Sequence, residues 1–232
     1  MKQISSKESH YYESFKDFLQ DTAVRFEGRT AITTYDRKGT PKEISYEQMK
    51  DDAFAVARAL YANGLSGKHV AILGENSYEW LAVYLGIAVS GGTAVCIDTE
   101  HTDEIIIRMI TQADAQAIFV SESMMELGMR ACKEDSRIQK LIVLGKNTGD
   151  GESLEEFLKA GENPEAENWL DYFHPDGRGD ASIVYTSGTT STAKPVRLSH
   201  RAILYNAADA LTLLDSRDRV FNSLPLYHTY GL

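Results

Sequence analysis

Apolar and polar positions fall into blocks along the chain, and each block has a readable period. Residues 10–27 set Tyr12, Phe15, Phe18, Leu19 and Phe26 at helical spacing, which predicts an amphipathic N-terminal helix. Residues 31–35 and 42–45 are short β-prone runs around Asp36-Arg-Lys-Gly-Thr-Pro41, the pattern of a hairpin with a longer turn. Ser45, with Gln48 three positions on, predicts a capping box opening a helix. Met49, Ala53, Val56, Ala57 and Leu60 form that helix's apolar stripe, and Gly64 ends it.

A regular alternation follows. Apolar runs at 69–73, 93–97, 117–120 and 140–144 read as strands; between them lie helical stretches at 77–90, from Thr102 as N-cap, and at 123–134. Strands that are apolar throughout, separated by helices, predict an α/β fold with a mainly parallel sheet covered by helices on both faces. Residues 145–180 are rich in Gly, Asn, Glu and Asp and read as a surface connection with a solvated acidic face. One short helix, boxed off by Ser153 and Glu156, interrupts it. Strands at 181–185 and 196–199, a helix over 199–214 and a last strand over 219–223 complete the expected order.

Composition changes the picture in three places. The run from Trp80 to Ile97 has 18 residues without a charge, yet Gly91-Gly92 divides it, so helix, turn and buried strand explain it better than a membrane span. A net charge of −10 argues against nucleic acid and anionic membrane as partners, though not against ATP, which needs only local positive potential. The two cysteines, Cys96 and Cys132, make neither a disulfide framework nor a Cys-x-x-Cys metal spacing, and buried, inert thiols are expected. The N-terminus lacks the apolar core of a signal peptide, so a cytoplasmic protein is expected. The six histidines show no metal-like spacing, and a structural role is expected for His200. Tyr11, Tyr12, Trp80 and Tyr84 are expected in cores.

The candidate chemistry lies after the strand at 181–185. From Thr186 to Thr192, six of seven residues carry hydroxyls and the other is Gly188; Lys194 closes the segment. Hydroxyls, free backbone N–H groups, a glycine permitting close approach and one lysine make a phosphate cradle. A Ser/Thr-rich surface turn has the same composition, and ordinary strand-end hydrogen bonding is the competing role for Thr186 and Ser187. The segment is no Walker A loop, because Ala193-Lys194-Pro195 stands where Gly-Lys-Ser/Thr is required. No Gly-x-Gly-x-x-Gly follows 69–73, which disfavours a dinucleotide oxidoreductase.

Tyr185-Thr-Ser-Gly-Thr-Thr, Lys194 and Val196-Arg-Leu-Ser-His200 together resemble the phosphate-binding signature of the adenylate-forming superfamily. Leu224-Pro-Leu-Tyr-His228 resembles a second signature of that superfamily, and Val70 to Asp98 is similar to a further block. The resemblance implies an acyl-CoA synthetase-like ligase of fatty or other carboxylic acids. It would use ATP with Mg²⁺ to form acyl-AMP and pyrophosphate, then CoA to form a thioester. It assigns phosphate binding to Thr186, Ser187, Gly188, Thr189, Thr190 and Lys194. It places His228 near the carboxylate, while a loop histidine bonded to backbone remains the rival role. By the same resemblance, residues 1–67 belong to a neighbouring subdomain and 68–232 to the α/β subdomain with the phosphate loop. It further implies an N-terminal fragment, inactive alone because later family motifs do not occur in it. A naturally short, non-catalytic nucleotide-binding or scaffolding protein is the alternative. Three departures bear on the loop: Ser191 and Pro195 where the family has Gly, and Ala193 where it has Pro. Pro195 lacks an N–H and biases Lys194 toward an extended backbone, so a stiffer loop is expected.

Overall fold

The computed structural model describes residues 10–36, 38–145, 151–186, 193–211, 214 and 218–228. Helix α1 (Phe15–Arg25) starts five residues later than the apolar pattern suggested. Ser14 caps it, and the Ser14 and Asp17 side chains bond each other's backbone N–H. Strands β1 (Thr30–Tyr35) and β2 (Pro41–Ser45) pair antiparallel as a separate hairpin. Helix α2 (Tyr46–Ala62) is capped by the Ser45 hydroxyl, which accepts from Gln48 N. The expected reciprocal bond gives way to a bond from Gln48 Nε2 to Asp52 Oδ1. The stripe from Met49 to Leu60 is buried as expected, and Gly64, at φ +70°, takes the left-handed turn that ends the helix.

The central sheet is built from β3 (His69–Leu73), β4 (Thr93–Cys96), β5 (Ala117–Val120), β6 (Lys140–Val143), β7 (Glu152–Ser153), β8 (Asp180–Thr186) and β9 (Lys194–Ser199). Among the described residues the order is β7-β6-β5-β3-β4-β8-β9, all parallel except β9, which runs antiparallel to β8. This is the expected mainly parallel α/β sheet. Helix α3 (Tyr78–Val89) crosses from β3 to β4, α4 (Asp103–Gln112) from β4 to β5, and α5 (Met125–Glu134) from β5 to β6.

Alternate strand residues divide between two cores, as the period of two requires. Ala71, Leu73, Val95, Ile118 and Val120 pack against Ile106, Ile110 and Leu127 of α4 and α5. Val70, Ile72, Ala94, Cys96 and Phe119 face the opposite way, against α1, α2 and α3. Helices α2 and α3 approach closely at Gly86, where a Cβ would lie 2.4 Å from Val56 Cβ and 2.8 Å from the Ala53 carbonyl oxygen. Only glycine fits that crossing without moving a helix.

The segment 145–180 is not a surface connection. It contributes edge strand β7, the boxed helix α6 (Leu154–Lys159) and a second helix, α7 (Pro164–Tyr172). Asn163 caps α7 and Pro164 takes its first position, where a missing N–H costs nothing. Ala166, Trp169 and Leu170 form its inner stripe, Phe173 just past its end stacks on Trp169 at 4.8 Å, and Trp169 stacks on Tyr61 of α2 at 4.4 Å. The acidic composition had masked this helical period. Lys16, 1% exposed, joins α1 to the end of α7 by donating from Nζ to the carbonyls of Leu170 and Phe173, both at 2.6 Å. Burial pulls its pKa down, while the charges of Asp171 and Asp17 oppose the shift.

Helix α8 (His200–Leu211) follows β9, with Ser199 Oγ accepting from Ala202 N. His200 is buried, and its Nδ1 accepts the Phe15 N–H at 3.3 Å, which holds the ring neutral and ties α8 to α1. Burial lowers its pKa to about 4, against the pull of Asp176 and Asp17. The folded state therefore resists a proton that the unfolded chain accepts near pH 6.5. Stability should be insensitive to this group above that pH and fall by about 2 kcal/mol between pH 7 and pH 5. Urea unfolding across that range should show a His200→Asn variant losing less than the parent. Parallel pH profiles would remove the assignment.

Cys96 is buried and Cys132 half-buried, and burial raises both thiols, Cys96 to about 12. Trp80 and Tyr84 are core residues; Tyr11 is not, standing 50% exposed with its hydroxyl on Asp209. No helix among the described residues is long and apolar enough to cross a membrane.

Candidate functional site

All parallel strands of the sheet point the same way, so the turns after β3, β4, β5 and β8 emerge on one edge, where α/β sheets hold ligands. Strand β8 brings Thr186, the first residue of the hydroxyl-rich segment, to this edge. Its Tyr185 hydroxyl donates to Met109 O of α4 at 2.6 Å, and burial among those groups raises the phenol to about 12. Thr186 and Lys194 are then directly opposite in the β8–β9 register, with Tyr185 opposite Pro195. The Thr186 hydroxyl donates to Lys194 O at 3.5 Å, and both residues are exposed.

The two ends of the predicted phosphate loop are thus brought together. Ser187, Gly188, Thr189 and Thr190 lie outside the described residues, as does Ser191. Lys194 is extended, as its proline neighbour requires. Pro195 sits in β9, whose far side carries no further strand among the described residues, so its missing donor breaks no ladder there. Ala193 packs against the α4–α5 core.

The second signature reaches the same edge by a different route from the one its pattern suggested. Residues 219–223 form no strand; Val220 is 73% and Phe221 88% exposed. The chain docks from Leu224 onward. Asn76, in the turn after β3, donates from Nδ2 to Leu224 O at 2.7 Å and accepts at Oδ1 from Leu226 N at 2.8 Å. Leu226 packs on the core, Tyr227 is buried, and His228 N donates to Pro225 O at 3.1 Å, closing a turn that leaves His228 exposed. Burial and the nearby carboxylates of Asp98 and Glu100 raise the Tyr227 phenol. The turn after β4 therefore forms the wall beside Tyr227, and Asp98 pairs in it with His101 at 3.5 Å.

A third turn completes the edge. Glu75 accepts from Ser123 Oγ at 2.5 Å, and Ser121 Oγ lies 2.9 Å from Ser123 Oγ; the Ser123 bond leads in lowering the Glu75 pKa. Sequence reasoning missed Asn76, Asp98 and Glu100. Asn76 had one available signal, its place just before Ser77, the cap of α3, which fixes its backbone. Among the described residues no cluster of three or more His, Cys, Asp or Glu side chains is arranged to hold a metal ion.

Comparison with known proteins bears on the family and the fold. The family model described as AMP-binding enzyme matches residues 19–232. A long-chain-fatty-acid–CoA ligase of Rattus norvegicus is 27% identical over 91% of this chain and 34% of its own length. The 3-methylmercaptopropionyl-CoA ligase of Ruegeria pomeroyi is 24% identical over 90% of this chain and 40% of its own. The crystal structure of a long-chain-fatty-acid–CoA ligase from Archaeoglobus fulgidus superposes with a TM-score of 0.82 at 21% identity, over 99% of this chain and 46% of that one. The chain thus spans less than half the length of each.

Proposed function

Because the chain belongs to the AMP-binding enzyme family, we propose that it is the phosphate-loop portion of an acid–CoA ligase that activates a carboxylic acid with ATP. In this reading the acid's carboxylate attacks the α-phosphorus, acyl-AMP forms and pyrophosphate departs; the CoA thiolate then displaces AMP to give the thioester. One observation carries the reading: the β8–β9 hairpin sets Thr186 against Lys194 at the ligand edge of a parallel sheet, beside the docked 224–228 segment.

Each residue's part follows from its chemistry. Lys194 supplies a compact positive charge at the loop's end, and Thr186, across from it, a hydroxyl that would turn from the Lys194 carbonyl to donate to a phosphate. Ser187, Gly188, Thr189 and Thr190 would wrap the phosphates between them. Such a loop lowers the barrier by positioning two anions and neutralising charge on the departing pyrophosphate. His228, exposed at the end of the docked segment, is the group proposed to meet the carboxylate. Among the described residues no three His, Cys, Asp or Glu side chains are grouped to hold a metal ion, and Mg²⁺ would be held chiefly by the ATP phosphates. We further propose that this stretch binds nucleotide without completing turnover, since it corresponds to less than half of the ligases it resembles.

Lys194→Ala tests the assignment. A charge-assisted hydrogen bond contributes about 1.5–3 kcal/mol, so ATP affinity by equilibrium dialysis should fall roughly 10- to 100-fold. Lys194→Arg should retain part of it, and added salt should weaken the parent more than the alanine variant. ATP affinity unchanged in Lys194→Ala would remove the phosphate role from this loop.

A further inference from the structure

The carboxamide of Asn76 is used at both ends, on backbone groups 148 and 150 residues away in sequence. A planar amide offers one donor and one acceptor side by side, so Asn76 bridges the Leu224 C=O at a bend and the Leu226 N–H in the turn that follows. The grip stands on a rigid base. Leu73, three residues before, is fully buried in β3, and Ser77, one residue after, accepts from Trp80 N as the cap of α3.

The clamp falls where the chain changes character. Residues 218–224 are exposed, whereas Leu226 packs on the core and Tyr227 is only 8% exposed. Among the described residues 219–223 have no β-partner, and the Asn76 grip, the burial of Tyr227, the Asn222 Oδ1 that accepts from Leu224 N and the Pro225–His228 turn all hold 224–228. Aspartate would keep the acceptor but set an anion against the Leu224 carbonyl. Glutamine would carry the amide one carbon too far.

We propose that Asn76 is a positioning residue for the acyl half of the site: its carboxamide sets the register of 224–228 and so the places of Tyr227 and His228. It touches no reacting atom in this role. The inference rests on the ligase function proposed above.

The experiment uses this chain and its Asn76→Ala, Asn76→Asp and Asn76→Gln variants. Amide hydrogen exchange at Leu226 reads the clamp. Affinity for sulfamate mimics of acetyl-, octanoyl- and dodecanoyl-adenylate, with AMP as control, reads the positioning. Asn76 is exposed, so the variants should fold, and a thermal melt checks this. In Asn76→Ala, exchange at Leu226 should quicken tenfold or more. The ratio of acyl-mimic to AMP affinity should fall about tenfold, with AMP itself within twofold of the parent. Asn76→Asp should lose the same ratio although it keeps the side chain's size. Unchanged exchange at Leu226 overturns the clamp. Faster exchange with an unchanged ratio, or with AMP affinity falling in step, overturns the positioning role and leaves a structural one. If the parent chain binds neither AMP nor any mimic, the ligase reading itself fails and takes the positioning role with it, while exchange still reports the clamp.

Discussion

Trp80→Ala should lower the unfolding free energy by about 3–5 kcal/mol, the range for emptying a large aromatic site in a close-packed core. Trp80 is fully buried on the first turn of α3, stacked on Tyr84 at 5.7 Å, and Tyr84 meets the ring of Phe15 edge-on at 5.8 Å. Trp80 thus fills part of the core that α3 shares with α1 and the sheet. Domains of this size are stable by about 5–15 kcal/mol, so the loss is a large part of the whole. Trp80→Phe should cost much less. The indole Nε1 is buried without a hydrogen-bond partner among the described residues, and removing such a group recovers about 1–3 kcal/mol against the lost ring area. Urea midpoints of the two variants decide the matter. Equal losses would mean that the indole N–H, not the ring's volume, governs this site.

Lys16→Met should cost about 2–5 kcal/mol although methionine keeps nearly all of the apolar stem. The ammonium satisfies the carbonyls of Leu170 and Phe173 at the end of α7, and among the described residues no other group bonds them. A buried acceptor stripped of its donor costs about 1–3 kcal/mol, and here there are two. The last turn of α7 should also exchange its amide hydrogens faster, since Lys16 ties it to α1. A Lys16→Met protein as stable as the parent would show that the stem alone matters.

These two sites differ in how far they are legible. Trp80 lies in an 18-residue run without charge, and its burial follows from that pattern. Lys16 gives no such sign, because a lysine on an amphipathic helix ordinarily keeps its charge in water. Its partners are more than 150 residues away, and α7 itself was hidden beneath an acidic composition. There the period of Ala166, Trp169, Leu170 and Phe173, with Asn163 and Pro164 at the start, was present, and counting charges concealed it.

The candidate site divides in the same manner. The hydroxyl-rich segment with Lys194 and the Leu224-Pro-Leu-Tyr-His228 segment are visible as chemistry, since residue type and spacing are local properties. Strand pairing sets Thr186 opposite Lys194 at the two ends of the first segment. The second was expected on a strand at 219–223, because Val220 and Phe221 have the right propensity. Propensity without a partner strand makes no ladder, and the segment is held by Asn76 instead.

Local order thus follows from the chain's own pattern: the parallel α/β sheet, most of its helices with their Ser caps, the buried stripes, and the two chemical segments with the family they mark. Short-range periodicity and capping act within a few residues and leave their record there. Three features arose only on folding: the strand order β7-β6-β5-β3-β4-β8-β9, the buried Lys16 and His200 links that tie α1 to α7 and α8, and the Asn76 grip on 224–226. Each joins groups far apart in sequence through hydrogen bonds whose strength depends on exclusion of water. Side chains acquire that environment when the core closes around them, and no run of neighbouring residues encodes it.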